Sequence, residues 1–141
     1  MFSIARTARA KEPRDLRKGM FLVQECLRII WECQYDLPAG KLKPTLKFWC
    51  IENPATGLLK YFLGKPRYVY SPEEFGDSYS KKTALWGNFN EPEKLPLFRG
   101  TVAKGANVND MFWNVKDRNE RTDLRSIASP YFTKAFFGAN R

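Results

Sequence analysis

The chain has 141 residues, 43% of them hydrophobic, and carries 24 Lys and Arg against 15 Asp and Glu, for a formal charge of +9. That length suits about one domain with a real core and excludes wholesale disorder, while the charge favours a polyanionic partner, of which nucleic acid is the commonest. No apolar run reaches the ~18 residues of a membrane span, and three cysteines without CxxC spacing, in a chain with no histidine, argue against a disulfide framework and a zinc site.

Residues 1–17 read as a basic arm: Arg6, Arg9, Lys11, Arg14 and Arg17, continued by Lys18, lie among few apolar residues, and Pro13 interrupts them. The opening MFSIARTARAK has some character of a transit peptide, but no long amphipathic stretch follows and Glu12 comes soon after. Free cysteines in apolar runs point to a reducing, cytoplasmic interior.

Residues 18–100 read as an α/β core. In KGMFLVQECLRIIWECQ, 18–34, apolar residues recur at 20, 23, 27 and 30 and again at 22, 26, 29 and 33, which predicts a helix with a broad buried face. Lys18, Glu25, Arg28 and Glu32 share the opposite side, with Arg28 and Glu32 spaced for an ion pair. YDLPAGKLKPTLK is a loop by its Pro and Gly content. FWCI, 48–51, predicts a strand covered on both faces that runs to Glu52, where Asn53 and Pro54 break it. ATGLLKYFLG predicts a short helix with Leu58, Leu59, Phe62 and Leu63 inward and Gly64 as its stop. PRYVY is a strand, SPEEFGDSYS a loop and KKTALWGNF another strand; Trp49 and Trp86, within apolar strands, read as core.

Residues 101–128 read as a loop-rich insert, with a strand near Leu97 to Arg99 before it and a helical turn near Asp110 to Val115. Residues 129–141 predict a C-terminal helix capped by Ser129, with Pro130 in its first position and Gly138 as its stop. The alternation of helix and strand implies an α/β fold with a parallel or mixed sheet.

Three segments in order, FWCIENPATGLLKYFLGKP, SPEEFGDSYSKKTALWGNFNEP and RSIASPYFTKAFFGAN, resemble cytosine-5 DNA methyltransferases of the compact form found in bacteriophage genomes. The opening MFSIART is also similar to the segment that directly follows the Pro-Cys nucleophile in that family. The resemblance implies a partial doubly wound, Rossmann-like methyltransferase sheet with flanking helices. It further implies methyl transfer from S-adenosylmethionine to cytosine in DNA, in the cytoplasm of a bacterial or phage-infected cell.

That chemistry needs a thiolate on carbon 6 and an acid at the neighbouring ring nitrogen, because cytosine alone is a poor methyl acceptor at carbon 5. By resemblance the acid is Glu52, at the strand tip where open α/β folds gather ligand chemistry. A partly dry pocket there would help it keep its proton. Asn53 and Pro54 would turn the chain so that a flipped base can reach it. Lys82 matches a basic position that steadies the pyrimidine edge or a phosphate, and Ser3 and Arg6 would lie beside the nucleophile loop.

Two parts of the family pattern do not occur. There is no Pro-Cys pair, since Cys26, Cys33 and Cys50 sit within a predicted helix or strand, and there is no glycine-rich strand-to-helix turn for the cofactor. The chain looks like the latter part of such an enzyme, needing a separate chain or a missing half for nucleophile and cofactor site. The alternative from another class is a non-catalytic basic DNA-binding protein derived from a methyltransferase. An amino-group methyltransferase is disfavoured because Ala55 and Thr56, rather than a second proline and an aromatic, follow Asn53-Pro54.

Overall fold

The structure is a computed structural model that describes residues 15–36, 38–42, 46–95 and 115–141. Its contacts divide the chain into two units, one of residues 1–68 with 84–89 and one of residues 69–83 with 90–141. The chain leaves the first unit inside one strand and returns at the start of another. The described residues are mixed α/β, with small antiparallel sheets and helices. No doubly wound sheet is formed among them. The basic arm up to residue 14, including Ser3 and Arg6, the predicted strand at 97–99 and nearly all of the turn at 110–115 lie outside the described residues.

In the first unit, helix α1 spans Leu16–Gln34, and Asp15 begins it by accepting a hydrogen bond from the Lys18 amide at 2.9 Å. A short acceptor at this position satisfies an amide that has no intrahelical carbonyl. On the polar side Arg28 joins Glu25 at 3.0 Å and Glu32 at 2.5 Å. The broad buried face is corrected: Gly19 and Val23 are the buried residues of α1, while Leu22, Cys26, Ile29 and Cys33 on the second apolar stripe are exposed. Only the stripe through Met20, Val23 and Ile30 turns inward, because one helix presents one face to a layer this small.

The segment after α1 is not all loop. Strands β1 (Tyr35–Asp36) and β2 (Lys41–Leu42) pair antiparallel, Tyr35 opposite Leu42, and Gly40 takes a positive φ of 59° in the turn. Tyr35 also stacks on Trp31 with ring centroids 5.6 Å apart, tying the hairpin to the end of α1.

Strand β3 spans Trp49–Pro54, helix α2 is only Lys60–Leu63, β4 is Tyr68–Tyr70 and β5 is Thr83–Asn88. They form a three-stranded sheet in the order β3-β5-β4. The central strand is the most apolar and the best covered: Ala84, Leu85 and Trp86 are all buried. Leu59 is buried as expected of the α2 region, but Phe62 is exposed rather than inward. The expected ten-residue helix shrinks to one turn, since the amide of Gly57 bonds to the Pro54 carbonyl at 2.8 Å and the chain is spent on that reversal first.

In the second unit a 3-10 turn occupies Pro72–Phe75, within the expected loop. Its Ser71 and Glu74 form a capping box, in which the Ser71 amide donates to Glu74 at 2.9 Å. Helix α3 covers Arg118–Ser126 in the expected insert; Asp117 starts it by accepting from the Glu120 amide at 2.8 Å. Helix α4 is Pro130–Ala139, and it runs through Gly138 to Asn140, so that glycine is not its stop.

The core of this unit is aromatic. Phe132 of α4 stacks on Tyr70 at 3.6 Å between centroids and meets Phe75 edge-on at 5.2 Å. Asn140 closes the helix by accepting from the Asn90 amide at 2.7 Å and donating to the carbonyls of Asn90 and Phe136. Ser129 accepts from the Phe132 amide at 3.0 Å and donates its hydroxyl to Asp77. Because Ser129 is buried, Ser129→Ala removes a cap and leaves the Phe132 amide unsatisfied. The expected loss is about 1–2 kcal/mol, read as a lowered urea midpoint with unchanged slope; an unmoved midpoint would contradict the capping role.

Candidate functional site

Strand β3 holds three of the residues singled out from sequence. Exposure alternates along it: Trp49 and Ile51 are half-buried, Cys50 and Glu52 exposed, and Asn53 and Pro54 half-buried. Side chains two apart share a face, so Cys50 and Glu52 lie together on one side while Trp49, Ile51 and Asn53 point to the other. The strand continues through Asn53 and Pro54, two residues beyond the expected end at Glu52, and the reversal runs from Pro54 to Gly57.

Glu52 is exposed. The dry pocket expected around its carboxyl is therefore not built by the described residues. Its charge is felt next door: the Cys50 thiol is pushed up, first by desolvation and then by the negative charge of Glu52. A thiol held protonated is a poor nucleophile, and Cys50 does not replace the absent Pro-Cys. Two rates check this pairing. Cys50 should alkylate more slowly in the folded chain than in urea at the same pH, and Glu52→Gln should speed the folded-state rate while leaving part of the slowing, because desolvation is the larger cause. An unchanged rate in the variant would separate the two side chains.

Asn53 has a buried side-chain nitrogen, Nδ2, with no hydrogen-bond partner. A buried amide donor without an acceptor is uncommon in native folds. Lys82 is exposed and lies just before β5 instead of within it, in the second unit. The preceding residue is the one tied down there: Lys81 donates from Nζ to the Arg125 carbonyl at 2.9 Å, and its amide donates to Ser71 Oγ at 3.2 Å.

The glycine pattern of the described residues does not fit S-adenosylmethionine. The strand-to-helix connection after β3 contains Gly57 alone and enters a four-residue helix, so neither a glycine-rich cradle nor a helix of useful length is present to hold the cofactor. No group of three or more Cys, Asp or Glu among the described residues is arranged to hold a metal ion. No helix among them is long and apolar enough to cross a membrane.

A cleft of about 270 Å³ opens in the first unit, lined by Leu27, Trp49, Leu63, Lys65, Arg67, Trp86 and Gly87. Trp86 is the fixed wall: its indole Nε1 donates to the Gly64 carbonyl at 2.9 Å. Arg67 is anchored through its amide to the Leu85 carbonyl at 2.9 Å, and its guanidinium lies 5.2 Å from the centre of the Phe89 ring. Trp49 lines this cleft and is only half-buried, which corrects its assignment to the core; Trp86 is buried as expected. Lys65 and Arg67 escaped sequence reasoning. The signal was the run Gly64-Lys65-Pro66-Arg67, two cations around a proline at the mouth of an apolar strand.

Comparison with protein-family models, with curated proteins and with solved structures returns no match.

Proposed function

We propose that this chain is a DNA (cytosine-5) methyltransferase-like protein that contributes the acid and base-contacting strand to methyl transfer from S-adenosylmethionine to cytosine in DNA. The Pro-Cys nucleophile and the cofactor site come from outside these residues, from a separate chain or a further part of the same enzyme. On this reading the β3-β5-β4 sheet is one portion of a doubly wound methyltransferase sheet. The setting is a reducing cytoplasm.

The observation that carries the reading is the end of β3, where Glu52-Asn53-Pro54 is followed at once by the reversal from Pro54 to Gly57. A carboxyl on the last residues of a strand is held by the ladder behind it yet reachable from outside. Glu52 would give its proton to the ring nitrogen of an extruded cytosine as the thiolate adds to carbon 6. Because Glu52 is exposed, exclusion of water around it falls to the complementing polypeptide and to the DNA.

The test is methyl transfer to DNA from labelled cofactor, by the chain alone and together with a polypeptide that supplies nucleophile and cofactor site. Transfer is expected only in the second case. Transfer by the chain alone that survives replacement of Cys26, Cys33 and Cys50 by Ser would overturn the assignment of roles. The exposure of Glu52 also favours a second reading, a non-catalytic basic DNA-binding protein. Such a protein would bind DNA with a steep salt dependence and no preference for sequence, and would never support transfer.

A further inference from the structure

The cleft of the first unit has a composition that the acid at Glu52 does not explain. Its charged lining residues are Lys65 and Arg67, and no carboxylate lines it. Among the described residues, no ion pair to a carboxylate engages either cation. Two indoles, Trp49 and Trp86, complete the polar-to-aromatic contrast, with Leu27 and Leu63 as apolar wall. The volume of about 270 Å³ lies just below the usual range of ligand sites, so the cleft holds part of a ligand and leaves the rest in solvent.

Each feature narrows the ligand. Two cations without an acid repel metal ions and amines and attract an anion; arginine in particular offers a fork of donors that matches phosphate. The half-buried Trp49 indole offers flat, polarisable surface to a planar ring. Trp86 is already oriented by its bond to the Gly64 carbonyl, the Arg67 backbone is fixed by the Leu85 carbonyl, and its guanidinium lies against Phe89, so part of the ordering is in place before a ligand binds. A planar ring bearing a phosphate satisfies both sets at once.

We propose that the cleft between Trp49, Trp86, Lys65 and Arg67 binds a single nucleotide, its base against the half-buried Trp49 indole, with Trp86 as the fixed back wall, and its phosphate at the two cations. The nucleotide is either free or one unit of a single-stranded nucleic acid. The site lies on the Trp49 face of β3, opposite Glu52, and does not rest on the methyl-transfer reading.

The test follows tryptophan emission of the full chain during titration with deoxyadenosine monophosphate, with deoxyadenosine, and with a single-stranded deoxyoligonucleotide. Saturable quenching by the monophosphate, with the nucleoside much weaker, marks a site for a free nucleotide. Quenching by the oligonucleotide alone marks a site for a nucleotide within a strand. In either case Lys65→Gln with Arg67→Gln should weaken binding by about tenfold or more, because charged hydrogen bonds to phosphate are lost. Lys41→Gln with Lys134→Gln, exposed lysines that do not line the cleft, should leave it within about twofold. Lys65→Gln alone supplies the same comparison if loss of the Arg67 contact with Phe89 disturbs folding. The proposal is overturned by quenching from neither ligand, by a nucleoside that binds as well as its phosphate, or by equal loss in the two pairs of lysine and arginine variants. Since no methyl transfer is measured, its failure leaves the role of Glu52 to its own assay, and the reverse holds.

Discussion

Gly87→Ala should destabilise the first unit by about 3 kcal/mol or more, a large fraction of the roughly 5–15 kcal/mol that holds a domain folded. Gly87 lies in β5 at a φ of 152°, a backbone region that side-chain-bearing residues rarely adopt. A methyl group placed there would sit 2.2 Å from the Trp49 carbonyl oxygen and 2.8 Å from the Cys50 Cα. Both are backbone atoms of the neighbouring strand, so no rotamer change can relieve the contact; the two strands have to separate. The strand that separates carries Glu52, and Trp49 lines the cleft. Urea denaturation followed by tryptophan emission reads the effect, because Trp49 and Trp86 flank the contact. A midpoint equivalent to the parent's within about 0.5 kcal/mol would show that β3 and β5 do not approach this closely.

On the proposed methyl-transfer reading, Glu52→Gln should lower transfer in the complemented assay by about 100- to 10,000-fold, the range by which a positioned acid or base assists proton transfer. The substitution keeps the shape and hydrogen-bonding capacity of the side chain and removes the proton that a cytosine ring would receive. Glu52 is exposed on a strand end and is not among the buried core residues, so the fold should tolerate the change. DNA affinity is expected to change little, and a drop in turnover at constant affinity separates an acid from a phosphate contact. Turnover retained to within about tenfold would remove Glu52 from the reaction. Binding without transfer under every complementation would leave the non-catalytic reading.

Local signals in the chain were legible because their chemistry is local. Ser129 and Pro130 announce a helix start by cap geometry alone, and the structure has that start. Arg28 and Glu32 are neighbours because four residues make one turn. The apolar stretch around Trp49 and the run Ala84-Leu85-Trp86 are strands, as branched and aromatic residues between turn signals predict. Gly138 stays inside α4 because Asn140 is held by Asn90, fifty positions away in sequence, a partner that outweighs the local preference of a glycine. The helix at Arg118–Ser126 has a local signal, the Asp117 cap on the Glu120 amide, which the Pro, Gly and Asn content of the surrounding stretch outweighed in the sequence.

By itself the sequence determined the composition of the site: which strand ends in an acid, an amide and a proline, that no Pro-Cys or glycine-rich turn accompanies them, and that the chain is strongly basic. Only the tertiary structure decided which surfaces those residues share. Strand alternation puts Glu52 beside Cys50 and away from Trp49, and pairing with β5 at a glycine lets two backbones close to contact. The same packing gathers Lys65, Arg67 and two indoles around one cleft. The physical reason is that residue type and period set what a segment prefers, whereas faces, clefts and exposure depend on which distant segment it packs against, and that choice is made by the whole chain at once.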